Sequence, residues 1–390
     1  MKTEYDIVVI GAGPAGTTAA RYAALEGASV LVLEKDRDIG IPVRCAEGVS
    51  EAGLKLSVDC IDSDWIEQVV TRVNLYSPQG QVVPLELNKE RGFILNRKRF
   101  DYDLARLAVE AGAQVFTRAY VYDLIKQDEI SGIRVNYKGE KKDIKARIVI
   151  SADGVESRAG RWAGIDTRTR LADMETCYQV IAADVDIEED ALHMYFSTNV
   201  APQGYAWVFP KGEGIANIGL GISGTCAAEK SPREYLNKFL QRYFPNASIM
   251  SAVAGGVPCD KTLDRIVLDG FMLVGDAAHQ ANPISGGGIA SGMLAGQLAG
   301  KVAARAVAEN DVSARRLAEY EKLWDKREGK NHKLCYRIKN YVFNLSDQQL
   351  EDIASTVLTI PLEKRNLISL FRTALVKKPS LILDAVKVFT

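Results

Sequence analysis

The sequence predicts an α/β fold joined to a second, antiparallel sheet and a helical tail. Three observations carry this: an apolar strand that runs straight into glycines at residue 11, a block of longer β-runs from Thr176, and helical periodicity throughout the stretch beyond Ser313. The 390 residues and 47% apolar content suit two or three domains with a sizeable core.

The first element is Tyr5-Asp-Ile-Val-Val-Ile10 followed by Gly11-Ala-Gly13-Pro-Ala-Gly16, with Glu34 closing the next apolar strand, Ser29 to Leu33. This is the pattern of a Rossmann-type dinucleotide-binding βαβ unit. Gly11 allows the tight turn, Gly13 lets backbone approach a pyrophosphate, and Gly16 brings the helix close to the strand. The helix start then offers unpaired N–H groups and a positive dipole end to the phosphates. Glu34 is placed to accept from an adenosine ribose, and its charge disfavours a 2′-phosphate, so FAD or NAD is expected and NADP is not.

Arg91 to Arg97 reads as a strand leading into the amphipathic helix Phe100 to Ala111. Gln114 to Lys126, Gly132 to Asn136 and Lys145 to Ala152 read as a small antiparallel meander returning to the parallel sheet. The second sheet is expected from Cys177 to Ile187, Leu192 to Phe196, Tyr205 to Lys211 and Ile215 to Ile222. At Gly270 to Gly275 the chain re-enters a short buried strand and then a long helix, Gly288 to Asn310, so a late segment completes the first domain. The expected division is residues 1–75, 97–170 and 265–312 for the nucleotide domain, 76–96 and 171–264 for the antiparallel-sheet domain that takes substrate, and 313–390 for the helical region.

Gly275-Asp276, at the end of that late strand and before Pro283-Ile-Ser-Gly-Gly-Gly288-Ile289, suits a flavin. Asp276 would accept ribityl hydroxyls, and the helix start would aim N–H groups where charge accumulates on a reduced flavin ring. Ser151-Ala-Asp153-Gly154-Val-Glu-Ser157-Arg158 forms a third element, in which Asp153 serves either the cofactor or the turn itself. In order and spacing the three elements resemble the large flavoprotein superfamily that includes the aromatic hydroxylases, which implies FAD.

Two further segments narrow the resemblance. Pro42-Val-Arg-Cys45-Ala46-Glu47-Gly48 resembles the Pro-x-x-Cys-x-Glu-Gly loop of geranylgeranyl reductases, and Tyr205-Ala-Trp207-Val-Phe209-Pro210, with Gly219, resembles their Tyr-x-Trp-x-Phe-Pro signature. Within that family the chain is most similar to archaeal reductases that saturate the isoprenoid chains of digeranylgeranylglycerol phospholipids. Asn96-Arg97-x-x-Phe100-Asp101 occupies the place of their Glu-Arg-x-x-Phe-Asp segment. Asn96 stands there for the usual acid and Ala46 where many relatives have Gly, which leaves the paralogue open.

The resemblance implies FAD contacts at Ala15, Glu34, Cys45, Ala46, Gly48, Arg97, Val121, Asp276, Gly288 and Ile289, with Val121 offering only backbone. It also implies a catalytic place for Cys45 beside the flavin, as a polarizable wall, a proton donor or a redox partner. Tyr205, Trp207 and Phe209 alternate along one strand, so their rings share a face that would line an apolar substrate slot. The implied reaction adds hydride from flavin N5 and a proton to isoprenoid C=C bonds, with electrons from ferredoxin or a reduced nicotinamide. A flavin-dependent monooxygenase of small aromatic substrates is the alternative on the same scaffold.

Composition bounds the partners. Forty-nine basic against fifty acidic residues leave no global field for nucleic acid. The six cysteines form no CxxC pair, which argues against zinc, an iron–sulfur cluster or a disulfide framework, and no metal is expected. The apolar stretch Ala277 to Gly300 is broken by His279, Asn282, Pro283 and three consecutive glycines, so it reads as a buried helix, not a membrane span. The start of the sequence reads as a Rossmann strand without a signal peptide, and a cytoplasmic enzyme peripheral on the inner face of the cell membrane is expected. For contact with a prenylated glycerolipid, Leu367, Ile368, Leu370, Phe371, Ala374 and Leu375 fall at helical spacing among Lys364, Arg365, Arg372, Lys377, Lys378 and Lys387. Such a helix lies on anionic lipid or docks on the protein body.

Overall fold

The computed structural model describes residues 1–87, 90–126, 129–376 and 378–389. The first half holds β1 (Glu4–Ile10), α1 (Pro14–Leu25), β2 (Val30–Leu33), β3 (Gly48–Ser50), α2 (Glu51–Lys55), β4 (Ile66–Val70), β5 (Arg72–Tyr76), β6 (Val82–Glu86) and β7 (Gly92–Leu95). It continues through α3 (Arg97–Glu110), β8 (Gln114–Phe116), β9 (Ala119–Lys126), β10 (Ile130–Tyr137), β11 (Glu140–Ser151) and α4 (Arg158–Ala163). Next come β12 (Met174–Ala183), β13 (Ala191–Tyr195), β14 (Tyr205–Gly212), β15 (Ile215–Ser223), α5 (Gly224–Ala227), α6 (Pro232–Tyr243) and β16 (Ser248–Pro258). The remainder is β17 (Val267–Leu268), β18 (Phe271–Leu273), α7 (Ile289–Ala308), α8 (Ala314–Trp324), α9 (Lys330–Val342), α10 (Asp347–Leu358), α11 (Leu367–Ala374) and α12 (Pro379–Phe389).

The nucleotide sheet runs β17-β18-β11-β1-β2-β8, with parallel pairing from β18 to β8. Its central strands carry Val and Ile that are buried on both faces, as helix-covered parallel strands require. β11 serves three partners: its first half pairs antiparallel with β10, and its second half lies parallel between β1 and β18. The expected single strand Gln114 to Lys126 is two, because Arg118 takes a left-handed turn (φ 54°) that frees β8 for β2 and sends β9 to β10.

α1 and α7 cross at very short range. A Cβ at Gly296 would stand 2.2 Å from the carbonyl oxygen of Ala15, and one at Gly300 equally close to that of Ala19. Glycines four residues apart on α7 are therefore what lets the late helix press α1 against the sheet. No helix among the described residues is long and apolar enough to cross a membrane, and α7 is mostly buried within the protein.

The second sheet has the order β16-β12-β15-β14-β13-β5-β6. It is antiparallel except where β5 lies parallel to β13. Arg72 to Tyr76 thus belongs to this sheet, ahead of the residue 76 boundary read from the sequence. Gly92 to Leu95 pairs instead with β3 and β4 in a small sheet of its own. Alternation along a strand shows that it is a strand; it does not show which neighbour it meets.

Candidate functional site

The glycine turn does three separate jobs. Gly11 has φ 98°, and a Cβ there would lie 2.4 Å from the carbonyl oxygen of Ala152. A Cβ at Gly16 would stand 2.1 Å from that of Gly11, so close helix packing demands glycine. At Gly13, which caps α1 without any side-chain hydrogen bond, a Cβ would meet nothing within 4 Å. Open space at an uncapped helix start fits a pyrophosphate. Glu34 sits at the end of β2, where its Oε2 accepts from the Ala12 amide at 2.9 Å and its Oε1 from the Asp36 amide at 2.9 Å. The Ala119 amide donates to the Glu34 carbonyl at 2.8 Å, which brings β9 and its buried Val121 alongside.

Asp153 is engaged within the chain: Ser151 Oγ donates to one oxygen at 2.5 Å and the Ala159 amide to the other at 3.0 Å. These bonds tie Asp153 to the turn at the start of α4.

The residues expected to meet the flavin come from distant segments. A Cβ at Gly288 would stand 3.1 Å from Asp276 Oδ1, so the α7 start faces that carboxylate. Burial pushes the Asp276 carboxyl up to about 6 against the pull of the Arg97 guanidinium. Arg97, first in α3, is largely enclosed; desolvation works against its charge, and Asp101, bonded in two places at 2.8 and 2.9 Å, together with Cys45, more than restores it. Cys45 packs with the apolar cluster containing Ile289, Met293 and Phe100. Cys45, Arg97, Asp276, Gly288 and Ile289 thus converge from four parts of the sequence.

Glu47 locks this loop. Its backbone holds φ 71°, uncommon for a residue with a side chain, and its amide donates to Cys45 Sγ at 3.2 Å. Its buried carboxylate receives Lys211 Nζ, the Asn217 side-chain amide at 2.6 Å and the Arg97 amide at 3.4 Å. Lys211 also pairs with Glu67 at 2.6 Å. Sequence reading flagged Glu47 only as motif; its partners lie 50 to 170 positions away.

Tyr205, Trp207 and Phe209 share one face of β14 and form one cluster with Ala46, Cys177, Ile94 and Met194. Trp207 lies over Gly219, where a Cβ would be 2.5 Å from its ring, and Phe209 lies over Gly48 at 3.1 Å. The Trp207 indole donates to Gln179 Oε1 at 3.0 Å, and Gln179 Nε2 donates to the Cys45 carbonyl at 2.9 Å. Tyr205 Oη donates to the Ser285 carbonyl at 2.5 Å, joining the strand to the loop that opens α7. Gln179 was not singled out in the sequence, although alternation along β12 places Glu175, Cys177 and Gln179 on one face.

The C-terminal helices keep their expected positions with a different apolar face. Phe371, Ala374 and Leu375 are buried against α9 and α12, and Leu370 packs toward β6 and α10. Leu362, Leu367, Val376 and Leu383 are the exposed large apolar residues here among the described residues, close in sequence to exposed Lys364, Arg372, Lys378 and Lys387. Lys377 lies outside the described residues.

Comparison with known proteins places the chain among flavoproteins of one family. A family model of the geranylgeranyl reductase catalytic domain matches residues 173–257, and one of FAD dependent oxidoreductases matches residues 6–180. Digeranylgeranylglycerophospholipid reductase 1 of Methanococcoides burtonii is 41% identical over 97% of this chain and 93% of its own length. The digeranylgeranylglycerophospholipid reductase of Methanosarcina acetivorans is 43% identical over 98% of this chain and 96% of its own. A geranylgeranyl bacteriochlorophyll reductase-like protein from Thermoplasma acidophilum superposes with a TM-score of 0.93 at 34% identity, covering 99% of each chain. A flavin-dependent brominase, at 19% identity and a TM-score of 0.72 over 97% of this chain and 100% of its own, shares the fold.

Proposed function

The chain belongs to the digeranylgeranylglycerophospholipid reductases of the geranylgeranyl reductase family, and from that premise we propose how its own residues serve the reaction. It is an FAD-dependent oxidoreductase that reduces C=C bonds in the geranylgeranyl chains of archaeal-type membrane lipid precursors. The alternative of a monooxygenase acting on small aromatics is not favoured. Bound and reduced FAD supplies the two electrons and one hydrogen of each reduction.

In this reading Gly11, Gly13, Ala15 and Gly16 receive the pyrophosphate, Glu34 and the Val121 backbone the adenosine, and Asp276, Gly288 and Ile289 the ribityl and ring. Cys45, Ala46, Gly48 and Arg97 border the ring, and Asp153 holds its turn alongside the cofactor. Cys45 bounds the reacting double bond, and Tyr205, Trp207 and Phe209 form the apolar wall that orients the chain and excludes water. Residues 1–75, 97–170 and 265–312 bind nucleotide, 76–96 and 171–264 bind substrate with β5 added from the first segment, and 313–390 form the C-terminal helical region. The observation that carries this is the convergence of Cys45 with Arg97 and Asp276 on one side and, through Gln179, with Trp207 on the other.

The prenyl tails reach the slot from the inner face of the membrane, where exposed Leu367, Val376 and Leu383 and the neighbouring lysines make peripheral contact. Ferredoxin or a reduced nicotinamide delivers the electrons. The test is anaerobic: reduce the FAD-loaded protein, add geranylgeranyl lipid, and follow flavin absorbance with product mass. Reoxidation matched by a mass gain of two hydrogens per double bond is expected, and Cys45→Ala is expected to retain flavin while losing turnover. Normal alkene turnover in Cys45→Ala would remove Cys45 from the reaction.

A further inference from the structure

Saturating an isolated alkene needs an acid as well as a reductant, and the acid must hold its proton in a dry slot yet recover it near neutral pH. Glu175 is the second residue of β12, on the face shared with Cys177 and Gln179, and only 8% of it is exposed. Its Oε2 is buried and has no hydrogen-bond partner among the described residues. That oxygen and Cys177 Sγ wall the space over Gly221, where a Cβ would stand 3.7 and 3.1 Å from them. Gly221 in turn pairs with Tyr205, first ring of the aromatic strand.

The titratable groups facing Glu175 are Asp173 and Cys177 from its own segment, Cys226 from α5, Tyr205 from β14, Cys259 beyond β16 and Lys339 from α9. Lys339 is no ion partner for it: the ammonium is bound to Asp173 at 3.0 Å and to the Cys259 carbonyl at 2.7 Å. Burial pushes the Cys177 and Cys259 thiols and the Tyr205 phenol up, so these three keep their protons. Burial also pushes the Glu175 carboxyl up to about 7, with Asp173 adding to the rise and Lys339 opposing it. A carboxyl in that condition is protonated while waiting and is recharged from water near neutral pH.

We propose that Glu175 is the catalytic acid of the reduction, standing at the aromatic slot with its unpartnered oxygen toward the double bond. One alkene carbon takes the hydrogen and electron pair supplied by the reduced cofactor, and the other takes the carboxyl proton of Glu175. The π bond is lost, two C–H bonds form, and the Glu175 carboxylate regains a proton from solvent before the next double bond. The inference rests on the prenyl-reductase reading and names the source of its proton.

The test uses the full-length FAD-loaded protein with Glu175→Gln and Glu175→Asp. Wild-type turnover is expected to fall as pH rises through about 7. Glu175→Gln is expected to lose about 100-fold or more and to lose that pH step, with Glu175→Asp between the two. Infrared difference spectra of the wild type should show a protonated-carboxyl band that titrates near the same pH and is missing in Glu175→Gln. Unchanged rate and pH profile in Glu175→Gln overturns the proposal. So does a wild-type spectrum without that band, which decides the matter even where the variant fails to fold. Absence of prenyl turnover in a wild type that shows the band would instead overturn the prenyl-reductase reading.

Discussion

Glycines 13 and 16 lie in one turn, yet the structure assigns them opposite consequences when a methyl group is added. In Gly16→Ala the new Cβ would lie 2.1 Å from the Gly11 carbonyl oxygen and 3.1 Å from Ala152 Cβ, so α1 must lift from β1 and β11. Overpacking against backbone costs about 1–3 kcal/mol or more. In Gly13→Ala the Cβ meets nothing within 4 Å, and the residue's φ of −70° and ψ of 177° suit alanine. Reduced freedom of the unfolded chain favours alanine by roughly 0.4–1 kcal/mol, and the cap preference for glycine opposes it by a similar amount, so the net change stays within about 1 kcal/mol. The same methyl occupies the space a pyrophosphate needs, and FAD affinity should fall about 100-fold, near 2.7 kcal/mol. Urea denaturation of the flavin-free protein and titration with FAD separate the two. Gly13→Ala that binds FAD like wild type, or that unfolds as readily as Gly16→Ala, would refute the reasoning.

Three further expectations follow from named contacts. Glu47→Ala leaves Lys211 with Glu67 alone among the described carboxylates and removes the anchor of the Cys45 loop, which should cost about 3 kcal/mol in chemical denaturation and weaken flavin binding; a change under about 0.5 kcal/mol would contradict it. The folded Glu175 carboxyl, near 7, lies above its free value of 4.5, so its contribution to stability is full below pH 4.5 and is lost as pH climbs to 7. That loss is on the order of 3 kcal/mol, and denaturation of Glu175→Gln across this range should show a flatter slope than wild type. Anionic vesicles at low salt should sediment the protein, and neutralising Lys364, Arg372 and Lys378 together to Gln should weaken binding about 100-fold at roughly 1 kcal/mol for each basic residue. Protein remaining in the supernatant would exclude lipid contact through these helices.

What could be read directly from residues is what depends on near neighbours. The βαβ unit needs only a strand, three spaced glycines and an acid, and each of these stands where the pattern places it. The shared face of Tyr205, Trp207 and Phe209 likewise follows from a period of two. The strand Ser248–Pro258 and the hairpin from Arg72 to Glu86 escaped notice, because strand identity there depends on partners far along the chain.

Sequence alone determined the nucleotide-binding unit, the family and the loop and strand that pack together around Ala46 and Trp207, since each is encoded in a short run: Tyr5 to Glu34, Pro42 to Gly48 and Tyr205 to Pro210. Only the tertiary structure decided which groups surround them. Glu47 finds Lys211 and Asn217, Gln179 joins Trp207 to Cys45, and the C-terminal helices spend Phe371 and Leu375 on the protein's own core. Glu175 acquires its raised proton affinity the same way, from burial among strands and a helix up to 164 positions distant, where water no longer solvates its charge.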